Sequence, residues 1–401
     1  MTDLRVRTYQ VRFGDAVLVS VPETTNGVET VRHVLFDFGN ALGTAGGQDD
    51  VFDPVIDDIL AVLAGQPLDL YVMTHEHLDH VQGLFYASDQ LNKRLPAVRQ
   101  AWLTGSADPH YYATHPDARK SKIAALTAYD AAAKRLAATP ARSPLADVLM
   151  ANNDAKTTSK CIDFLRKLTK PGDLHYVDRT TNLAPLQPFK DGKVSLWAPE
   201  EDTSDYYGKF AGLARSLGID DQTGLDEAGE GEAAADGSSE PKPLAGVDAG
   251  AFYNLLDVRH NSGASTLLQI DQASNNTSVV LCLEWKGWRL LFPGDAEKRS
   301  WKTMDKAGVI KPVHFLKVSH HGSHTGMPPT EPVDILQKLL PLPAPDARKR
   351  TSVVSTYPLT YSGVPDDPTL TELRRRTELH ATTDLAPGEL FIDVLFSPTG
   401  A

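Results

Sequence analysis

Cysteine is scarce in this chain, and so are long apolar runs; each shortage removes a class of protein. Cys161 and Cys282 are the only two cysteines, far apart and inside apolar segments. They read as core residues, which excludes a disulfide framework and a thiolate metal site. The longest apolar runs are of strand length, so no transmembrane helix is expected. The opening MTDLRVRTYQ has no apolar stretch of the kind a secretory signal needs. The expectation is a cytoplasmic protein with no membrane partner. Basic residues are also short, with 40 Lys and Arg against 52 Asp and Glu and a net charge of −12. That balance argues against indiscriminate coating of nucleic acid. Most of the deficit is local, because residues 220–240 carry eight acids and no Lys or Arg. Residues 119–170 go the other way, with eleven Lys and Arg against four Asp. Such a segment suits a polyanionic substrate as well as it suits a solvated helix face.

The 401 residues, 41% of them hydrophobic, allow a sizeable core. Short β-prone runs at 4–9, 16–21 and 33–38 are separated by turn residues. A helix is expected over 50–64, stopped by Gly65 and Pro67. A buried strand over 68–73, a helix over 81–91 and a strand over 100–104 follow. A helical insert is expected over 105–190, mostly 105–170, with breaks at Pro140 and Pro144 and strands resuming near 174–177 and 194–197. A short helix is expected over 207–217. Residues 220–246 lack apolar periodicity and read as an acidic flexible loop. Beyond it, strands are expected over 265–270, 278–285 and 288–292, the last two forming a hairpin across Lys286-Gly287. A helix over 296–307, a strand over 313–318, a segment over 331–340, a strand over 352–355, a helix over 369–376 and a strand over 390–396 complete the chain. Strands in two runs, each followed by helices, describe one α/β layered domain spanning 1–401.

Chemistry concentrates after the strand at 68–73. His75, His77, Asp79 and His80 form H-x-H-x-D-H. Burying three imidazoles and a carboxylate without a compensating charge costs several kcal/mol, and a divalent cation supplies that charge. Two further groups also follow expected core strands: Gly294-Asp295, and His320-His321-Gly322-Ser323. Together they suffice for two ions. His75 and His77 would hold one, and Asp79 and His80 the other. Asp295 would bridge, and one of His320 or His321 would complete the second. N/O ligation without thiolate suits zinc, with manganese or iron as substitutes. Asp37, at the end of its strand and before Phe38-Gly39, can reach the same edge, although a lone Asp-x-Gly also caps turns. His110, Tyr111, Tyr112 and His115 stand at the entry to the insert, either facing a substrate or packing at the surface.

These motifs, Thr74-His-Glu-His-Leu-Asp-His80, Pro293-Gly-Asp295 and Ser319-His-His-Gly-Ser323, resemble the metallo-β-lactamase superfamily. The similarity is closest to the branch containing the hydrolase domain of the bacterial competence (DNA-uptake) channel protein. Gly14-Asp15-Ala16, Asp37-Phe38-Gly39, Asn275-Asn276-Thr277-Ser278 and Lys317-Val318 carry that branch likeness. It covers residues 1–104 and about 264–400. The resemblance implies a four-layer αββα sandwich with a two-metal site at a shared sheet edge. It makes His75, His77, Asp79, His80, Asp295 and His321 the ligands, with His321 preferred because Gly322 follows it. His320 would then face the substrate, and Asp37 would orient a ligand ring. Where many members carry another histidine, this chain has Asn275-Asn276, which leaves the first metal's remaining partner open among those asparagines, His260 and His110.

The implied reaction is hydrolysis by a metal-bridging hydroxide, with Asp79 orienting it and His320 or His324 protonating the leaving group. A phosphodiesterase or nuclease acting on nucleic acid or a nucleotide is the first reading, supported by the branch likeness and the basic segment. A thioesterase or lactonase acting on a small molecule is the second. A metal-stabilised, non-enzymatic binding or effector protein is the third.

Overall fold

The computed structural model describes residues 2–41, 48–137, 144–206, 262–344, 348–357 and 364–398. The expected helix over 207–217, the acidic loop over 220–246, Pro140 and His260 lie outside the described residues. Among the described residues the chain is mixed α/β, with two mixed sheets. It divides into two compact units, one made of Met1–Tyr111, Asp154–Glu201 and Ser274–Ala401, the other of Tyr112–Asn153 and Asp202–Ala273.

Both sheets belong to the first unit. One runs in the order β13 (Phe391–Phe396), β1 (Leu4–Tyr9), β2 (Val17–Thr25), β3 (Val28–Phe36), β4 (Leu70–Met73), β5 (Ala101–Thr104), β6 (Leu174–Val177). Its first four strands pair antiparallel, and β3 through β6 run parallel. The other runs β12 (Glu378–Ala381), β11 (Thr351–Val354), β10 (Phe315–Lys317), β9 (Trp288–Phe292), β8 (Val280–Trp285), β7 (Gly192–Ala198). There β9 through β12 are parallel, while β7, β8 and β9 form an antiparallel meander. The β8–β9 hairpin closes on Lys286-Gly287, both with positive φ, as a two-residue turn requires.

Alternation along each strand explains how the sheets pack. Val6, Val19, Val34, Phe36 and Val72 of the first sheet share one apolar cluster with Leu281, Leu283, Leu290, Phe292 and Phe315 of the second. Phe36 stacks on Phe292 at 4.3 Å between centroids. Val280, Cys282, Leu291, Leu316 and Val354 point the other way. They pack on Trp301 and Met304 of α8 (Lys298–Lys306), Ile335 and Leu336 of α9 (Ile335–Leu339) and Leu373 of α10 (Asp367–Arg374). On the first sheet, Arg7 and Tyr9 reach Asp58 of α1 (Phe52–Leu63) at 2.7 and 2.8 Å. Helix α1 buries Phe52, Val55, Ile56, Ile59 and Leu63, an i, i+3, i+4, i+7 stripe. Phe85 of α2 (Leu78–Asp89) meets Phe164 of α6 (Ala155–Leu165).

The remaining α-helices among the described residues are α3 (Tyr111–Thr114), α4 (Pro116–Ala137), α5 (Pro144–Asn152) and α7 (Ser262–Asn275). In the second unit, Ala132 and Leu136 of α4, Leu149 of α5 and Leu267 of α7 share a cluster. A second cluster joins Ala124 and Ala125 to Tyr206, Ile270 and Ala273. Of the segment 105–190, residues 105–111 and those from Asp154 onward lie in the first unit, and Leu174–Val177 is a strand of its sheet.

The strand expected over 265–270 is instead helical, within α7. Its buried apolar residues Leu267, Ile270 and Ala273 recur every third position, which a strand does not do. The short run Leu267-Leu268-Gln269-Ile270, read alone, fits either period. Strand β12, absent from the sequence reading, has only one buried residue, Ala381, and so carries little apolar signal. Among the described residues no helix is long and apolar enough to cross a membrane.

Candidate metal centre

The carboxyl ends of parallel strands from both sheets carry the site residues, the usual place for a ligand site in α/β sheets. Asp37 follows β3, and Thr74 to His77 follow β4 and lead into α2, whose first turn holds Asp79 and His80. Asp295 follows β9, His320 and His321 follow β10, and Ser355 follows β11. Their close approach depends on two glycines. A Cβ at Gly14 would collide with the carbonyls of Gly39 and Asp79, and one at Gly39 would strike the Asp79–His80 peptide.

Asp79, His80, Asp295 and His321 come together, all buried, with ligand atoms within 4.8 Å of one another. His321 Nε2 lies 3.0 Å from Asp79 Oδ2 and 3.4 Å from Asp295 Oδ2. His80 Nε2 lies 3.3 Å from Asp295 Oδ2 and 3.8 Å from Asp79 Oδ1. The His75 ring stands 4.2 Å from that of His80 and 4.7 Å from that of His77.

Each of three histidines is held by its Nδ1, so that Nε2 faces inward as a donor atom. His80 Nδ1–H donates to Asp37 Oδ2 at 2.8 Å. Asp37 also accepts from the Thr74 N–H (2.8 Å) and hydroxyl (2.7 Å). The Thr74 oxygen, its proton committed to Asp37, accepts from His75 Nδ1 at 3.0 Å. His321 Nδ1–H donates to the Ser355 carbonyl at 3.1 Å. Such outer contacts fix tautomer and ring orientation in metal sites. The backbone is strained at the same places. Asp37, His320 and His321 have φ of 50°, 47° and 50°, conformations that cost about 1–3 kcal/mol each and cluster at functional sites.

These buried acids and imidazoles shift one another's titration. Burial works to lower the His80 pKa, but Asp295, Asp79 and Asp37 outweigh it and hold it well above the ordinary value. Burial likewise opposes protonation of His321, and Asp295 and Asp79 again prevail, raising its pKa. Burial pushes Asp79 and Asp295 up, but His80 and His321 overcome it and bring both carboxyls below their usual range. Asp37 is raised, by burial above all. Burial depresses His75 well below normal and His77 to about 4, so both are neutral bases at pH 7.

The donor set fits a divalent metal. His75 Nε2 and Asp79 Oδ1 are buried atoms with no hydrogen-bond partner, a costly arrangement that coordination removes. The protons that let His80 and His321 face two carboxylates are what a cation would replace. Nitrogen and oxygen donors without sulfur suit zinc, manganese or iron. Both cysteines are elsewhere in the core.

The remaining sequence candidates fall into place around this cluster. Asn275 Nδ2 donates to Glu297 Oε1 at 3.0 Å and lies 3.4 Å from His320 Nε2. Asn276 Oδ1 accepts from the Ser300 hydroxyl (2.7 Å) and N–H (3.2 Å), capping the start of α8. His320 Nδ1 lies 3.1 Å from Thr325 Oγ1 and 3.3 Å from Glu297 Oε1, and its N–H donates to Asp295. His110 and His324 are exposed, while Tyr111 is buried, its hydroxyl donating to the Glu201 carbonyl. The sequence assigns no role to Thr74, which heads the matched motif, or to Glu297 and Ser355. Only Thr74, adjoining the motif, and Glu297, an acid two residues past Asp295, leave any signal there. No protein-family model matches the chain, and no curated protein matches it.

Proposed function

We propose that this chain is a metal-dependent hydrolase with the four-layer sandwich of the metallo-β-lactamase superfamily, and that it cleaves phosphodiesters. The observation that carries the metal dependence is the meeting of Asp79, His80, Asp295 and His321, buried, at adjoining strand ends. An apolar layer between the sheets, with helices against their outer faces, supports the fold reading. The H-x-H-x-D-H motif and its companions support the hydrolase. The likeness to the DNA-uptake branch and the basic run 119–170 favour a phosphodiester, in nucleic acid or a nucleotide.

In this reading His75, His77, Asp79, His80, Asp295 and His321 would hold the metal, and zinc would suit these donors best. Bound there, divalent ions acidify water and stabilise charge developing on a substrate oxygen. Asp37, through His80, and Ser355, through His321, keep the ligand rings in register. Asp79, with an oxygen free of hydrogen bonds, orients the attacking water. His320, steadied by Thr325 and Glu297, delivers a proton to the leaving group.

The test is a substrate screen with added zinc, using bis-p-nitrophenyl phosphate, a thioester and a lactone. Diester cleavage that falls about a hundredfold or more in Asp79→Ala is expected. Turnover of thioester or lactone alone would favour the second hydrolase class. A metal-loaded protein that cleaves none of them would favour a binding or effector role.

A further inference from the structure

We propose that Asp15 and Lys317 form a buried clamp that sets the spacing of the metal ligands between the two sheets; the inference rests on the metal-centre reading above. Neither side chain belongs to the ligand set. Lys317 is the last residue of β10, in a strand otherwise apolar, and Asp15 precedes β2. Both are buried, and Lys317 Nζ donates to Asp15 Oδ2 at 2.7 Å. A buried ion pair is costly to form, and it rarely earns its place through stability alone.

The contacts of Asp15 account for its position. Its N–H donates to the Asp79 carbonyl at 3.0 Å, and its carbonyl accepts from Gly39 N–H at 3.0 Å. The first contact holds the turn carrying Asp79 and His80. The second holds the loop that begins at Asp37, the partner of His80. Its carboxylate reaches across to the second sheet, with Oδ2 on Lys317 and Oδ1 standing 3.9 Å from His321 Nδ1. Oδ1 has no hydrogen-bond partner. At that distance it acts on the His321 ring as a charge, reinforcing the bond from Nδ1 to the Ser355 carbonyl. Lys317 donates as well to the carbonyl of Val318, at the root of the His320–His321 turn. One residue thus touches the backbone of the first-sheet ligands and, through one lysine, the strand that presents His321. Asp15 and Lys317 are positioning residues: they act on the metal through Asp79, His80 and His321.

The test uses the full-length protein, stripped with chelator and titrated with Zn²⁺ and, separately, Co²⁺, whose visible spectrum reports ligand geometry. The variants are Asp15→Asn, Lys317→Met and the double substitution, with thermal unfolding of each stripped protein measured alongside. Each single variant is expected to lose ten- to a hundredfold in Zn²⁺ affinity, the usual effect of outer contacts at metal sites, and to show altered Co²⁺ bands. The double variant leaves no buried charge unpaired and should recover thermal stability, yet keep the weakened affinity and altered bands. Affinity and spectrum that return together with stability in the double variant would reduce the pair to a structural element and overturn the clamp. So would single variants that bind both ions as the wild type does. A wild type that binds neither ion would overturn the metal-centre reading, and the clamp with it.

Discussion

His80 donates its Nδ1 proton to Asp37 across 2.8 Å, and both side chains are buried. That one contact settles which nitrogen of His80 faces Asp79 and Asp295. Replacing Asp37 with Asn keeps the shape and tolerates the left-handed backbone at φ 50°, but removes the charge. Asp37→Asn should therefore weaken zinc binding about ten- to a hundredfold, as measured by competition with a chromophoric chelator. Unchanged affinity would mean that the Asp37–His80 bond serves the fold alone.

Zinc binding should release protons, and its affinity should rise with pH. The raised pKa values of His80 and His321 mark protons that the metal-free site holds and the metal must displace. These groups stabilise the metal-free fold fully below their ordinary pKa, and that contribution is lost as pH climbs through the raised values. Metal binding gains over the same window and levels off above it. His77, depressed to about 4, is already neutral and adds nothing above that region. Calorimetry in buffers of different ionisation enthalpy measures the protons released; a value of zero at neutral pH would contradict the assignment.

The two sheets stand or fall together through their shared layer. Phe292 stacks on Phe36 at 4.3 Å and touches Phe315 on the neighbouring strand. Phe292→Ala should cost about 3–5 kcal/mol in urea unfolding. A loss under about 1 kcal/mol would show that the layer repacks around the gap.

Asn276 should matter to α8 and not to the metal. Its side chain caps the helix at Ser300, so Asn276→Ala should cost about 1 kcal/mol of stability and leave zinc affinity unchanged. A loss of affinity larger than the loss of stability explains would return Asn276 to the ligand set.

Local signals carried much of the fold and the centre of the site. H-x-H-x-D-H after an apolar run singles out His75 to His80, and strand-end positions point to Asp295 and to one of His320 and His321, a choice that only the resemblance narrows to His321. Those residues declare themselves because charged and imidazole groups beside buried strands have few other uses. What stayed hidden depends on distant pairing. Asp15 and Lys317 are 302 residues apart, and no local pattern pairs them. The roles of Asn275 and Asn276 turn on Glu297 and Ser300, which the chain brings close only once β8, β9 and α8 have packed. The helical state of residues 265–270 was hidden for a different reason: four residues of apolar sequence do not define a period, and the helix packs on partners elsewhere in its unit.

Whether Asp79, His80, Asp295 and His321 hold a metal is decided by elemental analysis of protein incubated with excess zinc and then desalted. The wild type should retain stoichiometric zinc, and Asp295→Ala, which removes the carboxylate facing both histidines, should retain far less while remaining folded. A folded wild type that emerges free of metal, or an Asp295→Ala variant that holds as much zinc as the wild type, would show that these four residues do not form a metal centre.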